Sequence, residues 1–349
     1  MLSLSSIRSR GLIPRVLSRY NSSSTSAARP SRRILVTGAT GQIGAELVPL
    51  LRSRVSCLSD SIVIASDVKV SPVAGDAFYS QLDITDAAAL NSLIAKHDID
   101  TIVHLASLLS VTGELHPGLA MRVNRGGAEN VLEAAAARKL KVFAPSTIAA
   151  FGPSTPRDNT PDLTIMRPTT IYGVTKVYLE LLGEYYVSKF GVDFRSVRYP
   201  GIISHRALPG GGTTDYAVNI FYDAIRTGGY ECFLREDTAL PMMYMPDALD
   251  AAVQLIEADA ACLTQRTYNI TGCSFTPREQ AAELSKAMVA AGKAPLKMTY
   301  KPDFRQTIAD TWPCSLDDSK ARKDWGWKPK FDCATMTNDM YKELSNKLK

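Results

Sequence analysis

The chain predicts an α/β fold, a doubly wound parallel sheet with a smaller C-terminal lobe. Three observations carry that reading. Short apolar runs, "RRILVTGA", "SIVIASD", "DTIVHLAS", "KVFAPST" and "DFRSVRYPG", alternate with stretches of helical periodicity such as 86–96, 119–139 and 172–190. Apolar strands separated by helices are the pattern of a parallel sheet covered on both faces. The first run ends in "GATGQIG" and opens at once into "AELVPLLRSR", a strand–turn–helix unit. From about residue 204 the alternation stops. A glycine-rich loop "LPGGGTTDYA" is followed by a helix over 215–227, a strand-like "YECFL", a helix over 247–258 and a proline-punctuated helical region from 277.

The first turn carries Gly38, Gly41 and Gly44, three residues apart. Glycines at such a turn let the chain bend tightly and let its backbone approach a pyrophosphate, and the third lets helix and strand pack closely. The spacing G-x-x-G-x-x-G departs from the G-x-G-x-x-G fingerprint of Rossmann-type dinucleotide folds. Its place between a strand and a helix supplies the context that the glycines alone lack. Asp67 ends the second strand, where a carboxylate accepts ribose hydroxyls and repels a 2′-phosphate, so the expected cofactor is NAD. Lys69, close by, argues weakly the other way. "LDIT", with Asp83 and Ile84, is placed for the adenine edge, and "HLAS", with Leu105 and Ala106, for the end of the next strand beside the ribose. The expected organisation is an NAD-binding Rossmann domain over 33–203 plus about 246–272. A substrate-binding lobe would then comprise 204–245 and 273–345.

Tyr172 and Lys176 stand four apart in "IYGVTK" and share one face of a helix. Taken alone, such a spacing is more often a surface pair. A free phenol has a pKa of roughly 10, too high for a base near neutrality, and a neighbouring ammonium lowers it. Thr147, in the "ST" that ends a strand, is placed to hold a substrate hydroxyl against that phenol. A dinucleotide fold needs this set for alcohol oxidation: one group takes the O–H proton while nicotinamide takes the carbinol hydride. "GGGTTD" offers backbone N–H groups, two hydroxyls and a carboxylate, suited to a small zwitterion; its plain alternative is a solvated turn. For Trp312 the plain alternative is core packing.

Composition narrows the classes. At 349 residues, 45% hydrophobic and 21% charged, the chain can bury a large core, and no apolar run approaches a membrane span. The net charge of +5 comes from one end, because residues 1–33 hold seven arginines and no acid. Without those seven, 33 basic residues face 35 acidic ones, so the body is near −2 and gives no nucleic-acid signal. That Arg- and Ser-rich end, acid-free with apolar residues between the arginines, predicts a mitochondrial transit peptide over residues 1–32 and a matrix address. The alternative is a disordered basic tail. Cysteines 57, 232, 262, 273, 314 and 333 form no Cys-x-x-Cys and read as free thiols, and the four histidines lack metal-ligand spacing. No metal is expected.

The glycine motif, Asp67, "PST" and "YGVTK" resemble the extended short-chain dehydrogenase/reductase family. Over residues 33–332 the likeness narrows: "TIYGVTK", "RYPGIIS", "PGGGTTDYAV", "LPMMYMPD" and "IADTWP" resemble its L-threonine 3-dehydrogenase branch. The Tyr–Lys pair belongs to the whole family, whereas "GGGTTDYAV" and "ADTWP" are particular to the branch. The resemblance implies NAD bound by Gly38, Gly41, Gln42, Ile43, Gly44, Asp67, Asp83, Ile84, Leu105, Ala106, Asn124, Tyr172, Lys176, Pro200 and Ile202. It implies Tyr172 as base, Lys176 as its pKa-lowering and ribose-binding partner, and Ser146 and Thr147 as ligands of the substrate hydroxyl. Ser110, Thr213, Thr214 and Asp215 would meet the substrate's amino-acid end, with Trp312 closing over it. The implied reaction is oxidation of the C3 hydroxyl of L-threonine to L-2-amino-3-oxobutanoate, in a homodimer formed through 119–139 and 172–190. A functional link to a CoA-dependent 2-amino-3-oxobutyrate lyase goes with it. Two rivals stand beside this reading. A nucleotide-sugar epimerase or dehydratase would need arginines toward the pocket, which Arg206 and Arg226 leave open. A non-catalytic NAD-bound scaffold is countered by the intact Tyr172 and Lys176.

Overall fold

Each apolar run becomes a strand because buried backbone N–H and C=O groups must find partners, and neighbouring strands supply them. The computed structural model describes residues 33–55, 61–73, 75–206, 210 and 212–348; the leader read as a transit peptide lies outside these, as does Cys57. In chain order the first half comprises β1 (Arg33–Thr37), α1 (Gly44–Val55), β2 (Ile62–Asp67), β3 (Tyr79–Gln81), α2 (Ala87–His97) and β4 (Thr101–His104). There follow α3 (Ser110–Leu115), α4 (Pro117–Ala120), a π-helical stretch (Met121–Gly126) and α5 (Gly127–Arg138). Then come β5 (Lys141–Phe143), β6 (Ser146–Thr147), α6 (Ile171–Phe190), β7 (Asp193–Tyr199) and β8 (Gly201–Ile203). The remainder is α7 (Tyr216–Thr227), β9 (Gly229–Cys232), β10 (Leu240–Tyr244), α8 (Met245–Glu257), β11 (Thr267–Asn269) and β12 (Cys273–Phe275). Last are α9 (Pro277–Ala290), β13 (Lys297–Tyr300), α10 (Phe304–Ala309), α11 (Ser319–Trp325) and α12 (Cys333–Lys347).

The main sheet has eight strands in the order β11-β7-β5-β4-β1-β2-β3, with β6 beside β7, all parallel. Leu35 of β1 pairs with Ile64 on one side and Ile102 on the other, three side chains with almost no solvent contact. On one face α1 contributes Leu47, Val48 and Leu51, and α8 contributes Ala248 to Ile256. On the other face α2, α5 and α6 bury Leu93, Val131 and Leu179. A third cluster joins Phe221 of α7, Leu284 of α9 and Met340 of α12 beside the small sheets β12-β10-β8 and β13-β9. This is the doubly wound arrangement the sequence predicts.

The strand order positions the site. The chain runs outward from β1 through β2 to β3, then returns to β4 on β1's other edge. Loops leaving β1 and β4 therefore diverge and open a crevice at their carboxyl ends, the place where open α/β sheets bind ligands.

One expected helix departs from the reading. The stretch 119–139 is α4, a π-helical segment and α5 in succession. In the π segment Asn124 is buried, accepts from the Leu108 N–H at 2.8 Å and donates to the Leu108 carbonyl at 3.1 Å and to Thr175 at 3.1 Å. Such insertions recur at functional sites. The bonds that hold this one reach across the fold, and sequence periodicity does not see them.

Candidate active site

A cleft of about 230 Å³ opens where the crevice is expected. Its floor is the turn after β1. Gly38 has φ +70°, and a Cβ there would meet Ala106 N at 2.6 Å. At Gly44 a Cβ would meet Ala39 Cα at 2.7 Å, with the Gly38 carbonyl closer still. Gly38 and Gly44 are thus required by backbone packed on backbone. Gly41 is different: its Cβ position has one neighbour, the Gly38 carbonyl at 3.2 Å, and the residue lines the cleft with Gln42 and Ile43. Open surface on this turn is at Gly41, just before the amino end of the 12-residue α1, whose dipole favours an anion. The Asp67 carboxylate accepts from the Thr40 N–H at 3.0 Å and the Lys69 N–H at 3.1 Å, which ties the end of β2 to the glycine turn. These residues fit a dinucleotide.

The opposite wall comes from α6, whose first turn is capped by Thr170 accepting from Gly173 N–H. Tyr172, Lys176 and Glu180 follow one another at helical spacing. Thr147, the last residue of β6, lies beside Tyr172, where its hydroxyl favours the phenolate, and accepts from Ala149 N–H at 3.2 Å. Lys176 Nζ donates to the Pro145 carbonyl at 2.8 Å and lies 5.6 Å from the centre of the Tyr172 ring. Ser146 lines the cleft and donates its hydroxyl to the Glu180 carboxylate behind it.

Electrostatics correct a second expectation. Burial pushes the Tyr172 phenol up to about 12, and the Thr147 hydroxyl acts the other way. Burial pushes Lys176 down to about 8, opposed by the carboxylate of Glu180. The lysine was expected to lower the tyrosine. Instead, desolvation by burial dominates for both. His104, paired with Thr37 Oγ1 at 2.8 Å, is pushed down to about 3 by burial and then by Lys176, and stays neutral.

The loop before α7 forms the far end of the cleft. Thr213 is buried in the cleft wall and its hydroxyl has no partner among the described residues. Gly212 N–H donates to Asp215 at 2.7 Å, which folds the loop on itself. Ser110 lines the cleft from the first turn of α3. Trp312 lines the cleft and belongs to the cluster with Tyr216 and Phe221.

The cleft gathers Gly38, Gly41, Gln42, Ile43, Gly44, Leu105, Ser110, Ser146, Thr147, Tyr172, Lys176, Pro200, Ile202, Thr213, Thr214, Asp215 and Trp312. Asp67, Asp83, Ile84, Ala106 and Asn124 are not among its lining residues. Asp83 is exposed and caps its own turn through Thr85. Ile84 is buried against the site of Gly127. Ala106 packs on Gly38, and Asn124 holds the Leu108 backbone. Sequence reasoning missed Glu180, Leu109, Pro145 and Gly201. A Cβ at Gly201 would meet Thr214 Cγ2 at 2.8 Å, so this glycine admits the loop before α7. The available signals were an acid eight residues after Tyr172 and a glycine after Pro200.

Among the described residues, Cys232, Cys262, Cys273, Cys314 and Cys333 are free, and no cluster of His, Cys, Asp and Glu is arranged for a metal.

Residues 34–271 match the NAD dependent epimerase/dehydratase family. A mitochondrial L-threonine 3-dehydrogenase of Bos taurus is 48% identical over 92% of this chain and 84% of its own. The crystal structure of an L-threonine dehydrogenase from Phytophthora infestans is 57% identical, covers 90% of this chain and 99% of its own, and superposes with a TM-score of 0.86. An L-threonine dehydrogenase structure from Clostridium difficile is 47% identical over 91% of this chain and 99% of its own, also with a TM-score of 0.86. With its glycine turn and its Tyr172–Lys176 pair, the chain belongs to the NAD dependent epimerase/dehydratase family, on the branch that holds the L-threonine 3-dehydrogenases.

Proposed function

We propose that this protein oxidises the C3 hydroxyl of L-threonine to L-2-amino-3-oxobutanoate with NAD as acceptor. The observation that carries the proposal is the placement of the neighbouring Tyr172 and Thr147 side chains in one cleft with the glycine turn and the unpartnered Thr213 hydroxyl. NAD, when bound, supplies the hydride acceptor. Thr147 and Tyr172 hold the substrate oxygen between them. Tyr172 takes the O–H proton as the carbinol C–H bond gives up its electron pair and the C=O bond forms. Lys176, with a value of about 8, is mostly charged at neutral pH and stabilises the phenolate one helical turn away. Thr213, buried without a partner, gains one when an amino-acid carboxylate or ammonium enters, which makes binding of a zwitterion more favourable than an apolar fit alone.

The two lobes divide the work: 33–203 with 246–272 for the cofactor, 204–245 with 273–345 for the substrate. Asp67 favours NAD over NADP. The leader directs the chain to the mitochondrial matrix, and a second copy pairs through 119–139 and α6. The product is a β-keto acid prone to lose carbon dioxide, so a CoA-dependent lyase that consumes it promptly is the fitting successor.

The nucleotide-sugar rival needs cations for a diphosphate, and no arginine is among the lining residues. Arg206 sits 3.7 Å from Glu46, and Arg226 lies over the Tyr222 ring. An NADH absorbance assay with L-threonine, D-threonine, L-serine and UDP-glucose, each with NAD and NADP, tests the reading. Turnover should require L-threonine and NAD, with L-serine slower by about one methyl group's worth, roughly ten- to a hundredfold. Turnover of UDP-glucose with none of threonine would reverse the assignment.

A further inference from the structure

The side chains of Tyr172 and Lys176 have a third member on the same face of α6. Glu180 lies one turn beyond Lys176 and is among the most buried ionisable residues of the chain. It accepts the Ser146 hydroxyl and is held by Arg198, whose Nε and Nη2 donate to its two oxygens at 3.0 and 2.7 Å. Arg198 is fixed in turn by the Asp162 carbonyl at 2.8 Å and Asn269 Oδ1 at 3.0 Å, and it lies over the Phe151 ring. A buried ion pair this fully bonded contributes little net stability. Its placement is the informative part. Lys176 holds the carbonyl of Pro145, Glu180 holds the side chain of Ser146, and the next residue, Thr147, lies beside Tyr172. Two successive turns of α6 therefore clamp two successive residues of the segment that delivers Thr147.

We propose that Glu180, oriented by Arg198, is a positioning residue: its carboxylate fixes the Pro145–Thr147 segment against Tyr172 and, one turn along the same helix face, is the counter-charge to the Lys176 ammonium. This rests on the reading of Tyr172 and Lys176 as the reacting pair, and is independent of which alcohol is oxidised. The charged and titratable groups around Lys176 are Tyr172 and Glu180 on its own helix, neutral His104 from β4, and Arg198 from β7 behind Glu180. Of these, Glu180 is the one that favours the ammonium. Arg198, the cation behind it, is paired by Glu180 itself. Removing the carboxylate takes away the favourable charge and releases an unfavourable one.

The test is a pH titration of Lys176 in the ligand-free full chain, by 13C NMR of reductively methylated lysines, with Lys176→Arg used to assign the signal. In Glu180→Gln the midpoint should fall by about one pH unit, the scale of losing one close opposite charge. Because that variant leaves Arg198 without its counter-ion, a charge-balanced Glu180→Gln/Arg198→Gln double variant is titrated beside it and should also fall. Thermal unfolding of both variants is recorded alongside. A lowered melting temperature with the Lys176 midpoint unmoved in the folded double variant would reduce Glu180 to a packing role and overturn the proposal. Since the titration uses neither cofactor nor substrate, it stands even if the threonine assay fails.

Discussion

Lys176 is charged at neutral pH inside the protein, where charge is disfavoured, so the residue that serves the chemistry should weaken the fold. In the unfolded chain its pKa is the ordinary 10.5, and in the folded chain it is about 8. Between those values the unfolded state binds more protons, so this group's contribution to stability rises with pH from about 8 to 10.5 and is lost as pH falls through 8. Lys176→Met should therefore unfold at higher denaturant than the parent at pH 7, by about 1–3 kcal/mol after allowing for the lost bond to Pro145. That advantage should shrink most of the way by pH 10. Equal stability gaps at pH 7 and 10 would mean the ammonium is solvated in place. Tyr172→Phe tests the other half of the pair: turnover should fall at least about a hundredfold, the low end for losing a general base, with NAD binding nearly unchanged. A variant with half the parental turnover would remove Tyr172 from the mechanism. The proposed reacting set was legible because Tyr172 and Lys176 sit on one helix and Thr147 ends a strand. Glu180 was not, since its meaning depends on Ser146 and Arg198, brought beside it by α6 packing over β7.

At the level of elements, the glycine turn separates packing from binding. Gly44→Ala would drive a methyl group into the backbone of Gly38 and Ala39, and should destabilise the chain by about 1–3 kcal/mol, as overpacking does. Gly41→Ala meets one atom at 3.2 Å and should leave the unfolding midpoint nearly unchanged while weakening NAD binding. Denaturant titration and NADH fluorescence binding on the two variants check both halves. A Gly41→Ala chain that bound NADH like the parent would move the pyrophosphate elsewhere on the loop. Apart from the three-residue β3, the strands of the main sheet up to β7 were readable as apolar runs, and α6, α7 and α8 as periodic stretches, to within two residues. Other elements escaped for physical reasons. β10 contains Pro241, which argues against a strand unless its missing N–H is tolerated by the pairing. β11, β12 and β13 are three or four residues long and take their direction from partners distant in sequence.

For the whole molecule, the catalytic helix presents a second face. At about 100° per residue, Tyr172, Lys176 and Glu180 cluster on one side of α6, and Val174, Leu181 and Tyr185 fall on the opposite side. These three are 45%, 57% and 52% exposed, and Leu115 and Leu119 of the neighbouring α3 and α4 add to the apolar surface. A stripe of this kind on a helix otherwise packed into the fold calls for a partner. The occupant proposed here is a second copy of the chain, which would bury the same stripe on both sides of a two-fold axis. Light scattering on a sizing column should then give a mass near twice 38.0 kDa at micromolar concentration, less whatever leader is removed. Leu181→Glu places a charge in the middle of the stripe and should weaken the dimer at least about thirtyfold, the scale of losing one strong interface residue. Because the stripe and the reacting residues share one helix, the variant should also lose turnover more than threonine affinity, as α6 loosens behind Tyr172. A parent chain that remained a single copy at tens of micromolar would leave the stripe unpaired, and α6 would then owe its rigidity to the Glu180–Arg198 pair and the sheet beneath it.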